Sequence, residues 1–294
     1  MNLLLIGADG QLGSELRTAL APLGELVALG KGFDLTRHDD LTAALRSSKW
    51  DAIVNAAAYT AVDRAESDRE RARAVNAHAC EVLACEAQAA GAWLVHYSTD
   101  YVFDGTGARP WRESDAPNPL NFYGASKLEG ESAIRENCER HMILRTSWVY
   151  EAGRDNFVGS ILKAACTRDS LAVVDDQWGT PTRARTIAQA TAHILGKIEL
   201  RLAGLYHFAA AGEVSRLGVA RHALARARQR GWPLMATASA VRPAQTADMP
   251  SPARRPLNSR LDCSLFDSAF AFDRPLWSSD LDAAIDEWPS IHPG

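Results

Sequence analysis

Short, predominantly apolar runs alternate with segments whose apolar residues recur at helical spacing. In the first half, residues 3–6, 26–29, 52–55, 93–98 and 141–145 read as strands. Between them, 11–21, 39–47, 69–90 and 123–137 read as helices. A strand that is apolar throughout is buried on both faces, and strands separated by helices pair in parallel. The predicted fold class is therefore α/β, a Rossmann-like doubly wound parallel sheet, which binds ligands beyond the carboxyl ends of its strands.

The second half is less regular. Residues 170–174 and 204–208 predict strands, and 186–200, 219–229 and 279–288 predict helices. Prolines stud 243–256, so that stretch is expected to be an ordered or ligand-gated loop rather than a strand. The expected organisation is a dinucleotide-binding domain over 1–150, to which residues of about 170–212 return. A smaller C-terminal substrate-binding domain takes most of 151–294.

Composition narrows the class. The chain has 294 residues, 47% hydrophobic and 23% charged, ordinary for a globular protein with a sizeable core. Its net charge of −4 and lack of a lysine-rich run argue against nucleic acid as a partner. No apolar run approaches the length of a membrane span. The five cysteines, an odd number without a Cys-x-x-Cys pair, suit reduced thiols. With no targeting segment visible ahead of the first strand, a cytoplasmic location is expected.

The chemistry begins at Gly7-Ala8-Asp9-Gly10-Gln11-Leu12-Gly13, directly after the first predicted strand. Gly7, Gly10 and Gly13 permit a tight turn and a close approach of backbone to a pyrophosphate, which the next helix N-terminus would hold. After the second strand comes Gly30-Lys31-Gly32, with no acid before Asp34. An acid at that place holds the ribose of NAD, whereas a cation accommodates the 2′-phosphate of NADP. NADPH is thus the expected cofactor, with Lys31 as a phosphate contact or, alternatively, an exposed loop lysine. Asp34 and Leu35 could flank the adenine. Small residues after the third strand, Asn55 to Ala58, would let a cofactor lie close.

Tyr123 and Lys127 stand four apart on a predicted helix and share a face. A nearby ammonium is expected to lower the phenol's pKa from about 10, suiting it to proton transfer to a carbonyl. Thr99, in Ser98-Thr99-Asp100 at a strand end, is placed to hydrogen-bond the reacting oxygen. Together these motifs point to hydride transfer from a nicotinamide.

The same residues resemble the extended short-chain dehydrogenase/reductase superfamily and, within it, the dTDP-4-dehydrorhamnose reductases. The resemblance runs through His96 to Phe103, Arg145 to Tyr150, Asp176 to Thr182 and Ala253 to Ser259. It implies NADPH, or NADH, as donor and a dTDP-sugar as substrate. The implied reaction reduces the C4 ketone of dTDP-4-dehydro-L-rhamnose, the last step to a precursor of cell-surface polysaccharide. Tyr123 would deliver the proton and Lys127 would hold the nicotinamide ribose. Thr99 and Asp100 would contact the sugar, and Trp148, Asn156 and Phe157 would line its pocket. Asn258 belongs to the substrate-side block. Arg254 and Arg255 suit a diphosphate, because guanidinium forks match phosphate oxygens. Gly10, Gln11, Leu12, Asp34, Leu35, Ala58, Tyr59 and Thr60 would contact the cofactor.

Some members of the family form homodimers through Mg²⁺ held by glutamates. Glu15 and Glu287 match two such positions, but Arg185 stands at the third, and a cation there repels the metal. Two other readings compete. A related dehydratase would need a glutamate after Asp100, where this chain has Tyr101. A regulatory binding module would not need the intact Tyr123, Lys127 and Thr99.

Overall fold

The computed structural model describes residues 1–288; residues 289–294, the end of the expected second domain, lie outside the described residues. Six strands form one parallel sheet: β1 (Asn2–Ile6), β2 (Glu25–Leu29), β3 (Ala52–Asn55), β4 (Trp93–Thr99), β5 (His141–Thr146) and a last one at Gly204–His207. Across the sheet they run β2, β1, β3, β4, β5, then Gly204–His207, every neighbour parallel. The order reverses between β1 and β3, and such a switch opens a crevice at the strands' carboxyl ends.

The unbroken apolar strand β1 has the cause expected of it, whereas β2, at the sheet edge, is apolar over 26–29 yet largely exposed. Leu3 and Leu5 of β1 enter one core, with Leu16 and Leu20 of α1 (Gln11–Leu20) and Ile187 and Ile194 of the helix Ala184–Leu195. Leu4 and Ile6 enter the core on the other face, with Leu41, Leu45, Leu83 and Ala87 of the helices His38–Arg46 and Ala79–Ala90. Each of these four β1 side chains is at most 1% exposed, and such burial is worth about 1.5–3 kcal/mol per side chain. A third core lies apart from the sheet. It gathers Val158, Leu162, Leu171, Val173, Leu224, Trp232, Ile285 and Trp288.

Two segments depart from the sequence pattern. The helix expected over 69–90 is interrupted by a π-helical turn, Ala74–His78, between Arg69–Arg73 and Ala79–Ala90. Such a turn re-aims one side chain and often marks a functional place. Here it turns Asn76 onto the backbone of Tyr59, whose N–H donates to Oδ1 at 2.8 Å, while Nδ2 reaches Ser126 Oγ at 3.0 Å.

The stretch 243–256 is not wholly a loop. Val241–Ala244 pairs in parallel with Leu171–Val174. Pro243 is tolerated because the ladder has only two strands, so one side of each needs no partner. The rest is ordered by side chains: Asp176 accepts from the N–H and hydroxyl of Thr246, and Asp63 accepts from the N–H of Ala253.

Candidate active site

A cleft of about 700 Å³ opens at the switch point and extends beyond β4 and β5. Its first wall is backbone. Gly7 has φ +83, and a Cβ there would lie 2.5 Å from Ala57 N. A Cβ on Gly13 would lie 2.0 Å from the Gly7 carbonyl oxygen, so the glycine loop is folded tightly on the start of α1. The helix has no side-chain cap at Gly10. Its first N–H groups are therefore left for a ligand, and with the dipole they favour an anion. A dinucleotide's pyrophosphate fits that cradle. Gly7, Gly10, Gln11, Leu12, Lys31, Ala58 and Thr60 all line the cleft. Lys31 stands exposed at its mouth, its N–H donated to Asp9 Oδ2 at 2.8 Å.

Four predicted cofactor residues lie elsewhere. Gly13 serves the packing of α1 beneath the loop. Leu35 is 3% exposed and belongs to a core cluster. Asp34 caps its own turn, accepting from the N–H and hydroxyl of Thr36, which hold its carboxyl below the usual range. The Tyr59 hydroxyl donates to Asp68 Oδ2 at 3.0 Å and faces a smaller hollow beside the cleft.

The far wall is made of side chains. The helix Phe122–Asn137 is capped by Asn121, whose Oδ1 accepts from Gly124 N–H at 2.8 Å and whose Nδ2 donates to the Arg254 carbonyl at 2.8 Å. This cap aims the helix at the end of β4 and brings Tyr123 to Thr99. The Thr99 hydroxyl and the Tyr123 phenol line the same cleft at the end of β4, and Tyr101 packs edge-on against that phenol at 5.8 Å. Asp100 is buried and accepts from Thr99 Oγ1 at 3.2 Å. Burial pushes its carboxyl up to about 6, against the pull of Ser259, Arg216 and Thr99.

The electrostatics of Tyr123 differ from the sequence expectation. Burial raises the phenol's pKa, opposed by the Thr99 hydrogen bond, and Lys127 is not among the groups acting on it. Lys127 points instead to His96: Nζ lies 2.9 Å from Nε2, both groups are buried, and burial lowers the pKa of each. His96 is steadied in turn by Asn55 Nδ2 at 3.2 Å from Nδ1, and Asn55 Oδ1 accepts from Ala57 N–H at 3.1 Å. The phenol is thus kept protonated, the form in which it can donate.

The expected substrate residues divide. Trp148, Asn156 and Phe157 line the cleft. Trp148 holds φ 49, a left-handed backbone costing about 1–3 kcal/mol for such a residue. Asn156 caps the helix Phe157–Thr167 and donates to Gln11 Oε1 at 3.0 Å, joining the two walls. Arg255 is committed to Asp63 through a fork of 2.8 and 2.7 Å, and Arg254 is exposed outside the cleft lining. Asn258 is buried and clamps loops: it donates to the Arg109 carbonyl at 2.8 Å and accepts from Arg260 Nε at 2.8 Å. Sequence reasoning gave no role to His96 or Arg216. His96 carried a signal, being polar within an apolar strand; nothing local marks Arg216.

Glu15, Arg185 and Glu287 do meet. Arg185 Nε donates to Glu15 Oε2 at 2.9 Å and its Nη1 to Glu287 Oε2 at 2.6 Å. Arg183, 3% exposed, joins Glu287 at 2.7 Å and buried Glu151 at 2.9 Å. Two guanidinium groups already satisfy these carboxylates, so the cluster does not fit Mg²⁺, which needs free oxygen ligands. Among the described residues no group of three His, Cys, Asp or Glu could hold a metal. Nor is any described helix long and apolar enough to cross a membrane.

A family model described as the RmlD substrate binding domain matches residues 1–289. The chain is 44% identical to the dTDP-4-dehydrorhamnose reductase of Escherichia coli K12, over 98% of each chain. It belongs to the dTDP-4-dehydrorhamnose reductase family. The Salmonella typhimurium reductase is 45% identical over 94% of each chain. Among solved structures of the family, the Bacillus anthracis reductase in complex with NADP superimposes with a TM-score of 0.90 at 30% identity. That match covers 98% of this chain and all of the other.

Proposed function

We infer that the protein reduces the C4 ketone of dTDP-4-dehydro-L-rhamnose to dTDP-L-rhamnose, with NADPH as donor. The observation that carries this reading is that Tyr123 and Thr99 line one cleft at the end of β4 together with an uncapped glycine loop. The protein is an oxidoreductase of the short-chain dehydrogenase/reductase type. NADPH, when bound, supplies the hydride that reaches C4.

The residues do the rest. The glycine loop and the start of α1 receive the pyrophosphate, and Lys31 at the cleft mouth offers a cation to the 2′-phosphate. Thr99 and Tyr123 hydrogen-bond the ketone oxygen. As C4 gains hydride, the C–O π bond becomes an alkoxide, and Tyr123 gives it the phenolic proton. Burial keeps that phenol protonated until negative charge develops beside it. Lys127, held by His96, is placed for the nicotinamide ribose. Asp100 and Trp148 face the sugar. The part built on the sheet serves the cofactor, and the part around the third core serves the sugar nucleotide; both contribute walls to the cleft.

The test is NADPH oxidation, followed at the nicotinamide absorbance band, with dTDP-4-dehydro-L-rhamnose generated in situ. Consumption of NADPH with formation of dTDP-L-rhamnose is expected. Cofactor binding without oxidation would remove the substrate assignment.

A further inference from the structure

Arg216 begins the helix Arg216–Gln229, whose first turn is pinned. Ser215 Oγ accepts from Gly218 N–H at 3.2 Å and donates to Asp175 Oδ1 at 2.6 Å. From this fixed base the Arg216 side chain crosses the cleft. Its guanidinium carbon lies 3.8 Å from the centroid of the Trp148 ring and 4.7 Å from that of Phe157. Guanidinium stacks on aromatic rings through its flat faces, which leaves the N–H edge free to bond.

That edge is under-used. A guanidinium carries five N–H donors. The groups that favour the charge on Arg216 are the side chains of Tyr101 and Asp100. Among the described residues, no carboxylate lies within ion-pair distance of it. Three other arginines near the cleft or in the core are paired: Arg145 with Glu131 at 2.6 Å, Arg183 with Glu151 at 2.9 Å and Arg255 with Asp63 at 2.7 Å. Burial alone disfavours the charge on Arg216, and the nearby Arg255 disfavours it further. Two neighbouring cations, one of them without a counter-ion, are unfavourable by themselves. They become favourable when an anion with more than one charge arrives.

We propose that Arg216 is the residue that grips the diphosphate of the sugar nucleotide, seated on Trp148 and Phe157 and reinforced by the charge of Arg255. The assignment rests on the function proposed above. The cofactor also carries phosphates, but its pyrophosphate cradle is the separate glycine-loop wall. Arg216 instead shares its end of the cleft with Asp100 and Tyr101. It takes over the part that the sequence gave to Arg254 and Arg255.

The test compares Arg216→Gln and Arg216→Lys with the unaltered protein, each checked by thermal melting. Binding of dTDP, thymidine and NADPH is titrated separately, and KM is measured for dTDP-4-dehydro-L-rhamnose. Loss of a charge-assisted hydrogen bond predicts that Arg216→Gln weakens dTDP binding and raises the sugar-nucleotide KM by about 10- to 100-fold. Thymidine and NADPH affinities stay unchanged, and Arg216→Lys recovers part of the loss. Unchanged dTDP affinity would overturn the proposal. So would an equal loss for thymidine, which marks packing alone, or a loss confined to NADPH, which assigns the arginine to the cofactor. If the unaltered protein turns over no sugar nucleotide while the dTDP titrations behave as expected, the reaction assignment fails and the diphosphate grip stands.

Discussion

The two walls of the cleft are built on different principles. The cofactor wall is backbone: a glycine loop, an uncapped helix start and small residues after β3. The substrate wall is side chains: Tyr123, Asp100, Trp148, Phe157 and Arg216, drawn from several parts of the chain. A backbone wall fits any dinucleotide of the right shape and leaves few residues to change. A side-chain wall carries selectivity and can be rewired, as the pairing of Arg255 with Asp63 and the freedom of Arg216 illustrate.

Substitutions should expose this difference. The largest effect is expected from Tyr123→Phe, which removes the proton donor: turnover falls about 10²-fold or more, while NADPH affinity by fluorescence titration is retained. Turnover close to that of the unaltered enzyme would remove Tyr123 from the chemistry. Gly13→Ala attacks the other wall by forcing a Cβ against the Gly7 carbonyl. It should destabilise the fold by about 1–3 kcal/mol in denaturant melts and weaken NADPH more than dTDP. Equal weakening of both ligands would mean that the walls are not separable.

Smaller effects sharpen the substrate side. Asp63→Ala releases Arg255 from its carboxylate and should change the sugar-nucleotide KM a few-fold, on the order of 1 kcal/mol or less for such a partly exposed pair. NADPH affinity is the control. The Asp100 carboxyl, raised to about 6, sits among Thr99, Ser259, Arg216, Tyr101 and Tyr123. On the proposed function its ionised form accepts from a sugar hydroxyl, so kcat/KM should hold above pH 6 and decline below it. Asp100→Asn should flatten that limb; a limb that survives belongs to another group.

The same contrast explains what could be read from the chain beforehand. The parallel sheet was legible because runs such as Leu3 to Ile6 are apolar at every position, which two-sided burial explains, although the equally apolar β2 is an exposed edge. The glycine loop was legible because its requirement is local: a turn and a close approach need glycine wherever they occur. Tyr123, Thr99 and Asp100 were named through motif and resemblance, and the fold brings all three to one cleft. Arg216 was not, since its meaning comes from rings at 148 and 157 that only the fold brings beside it. Lys127 was assigned to the right helix face but to the wrong neighbour, because His96 reaches it from another strand. That Arg255 is tied to Asp63 was not legible, because the two are distant in sequence. The strand at Val241–Ala244 was hidden by Pro243, whose penalty vanishes at a ladder with an unpaired side.

The cluster of Glu15, Arg185, Arg183 and Glu287 has one more consequence. A cation tethered by a peptide bond cannot be lost by dilution, captured by a chelator or exchanged for another ion. Whatever these carboxylates hold in place is therefore indifferent to the supply of divalent metal around the protein, and answers instead to salt, which screens the exposed half of the cluster.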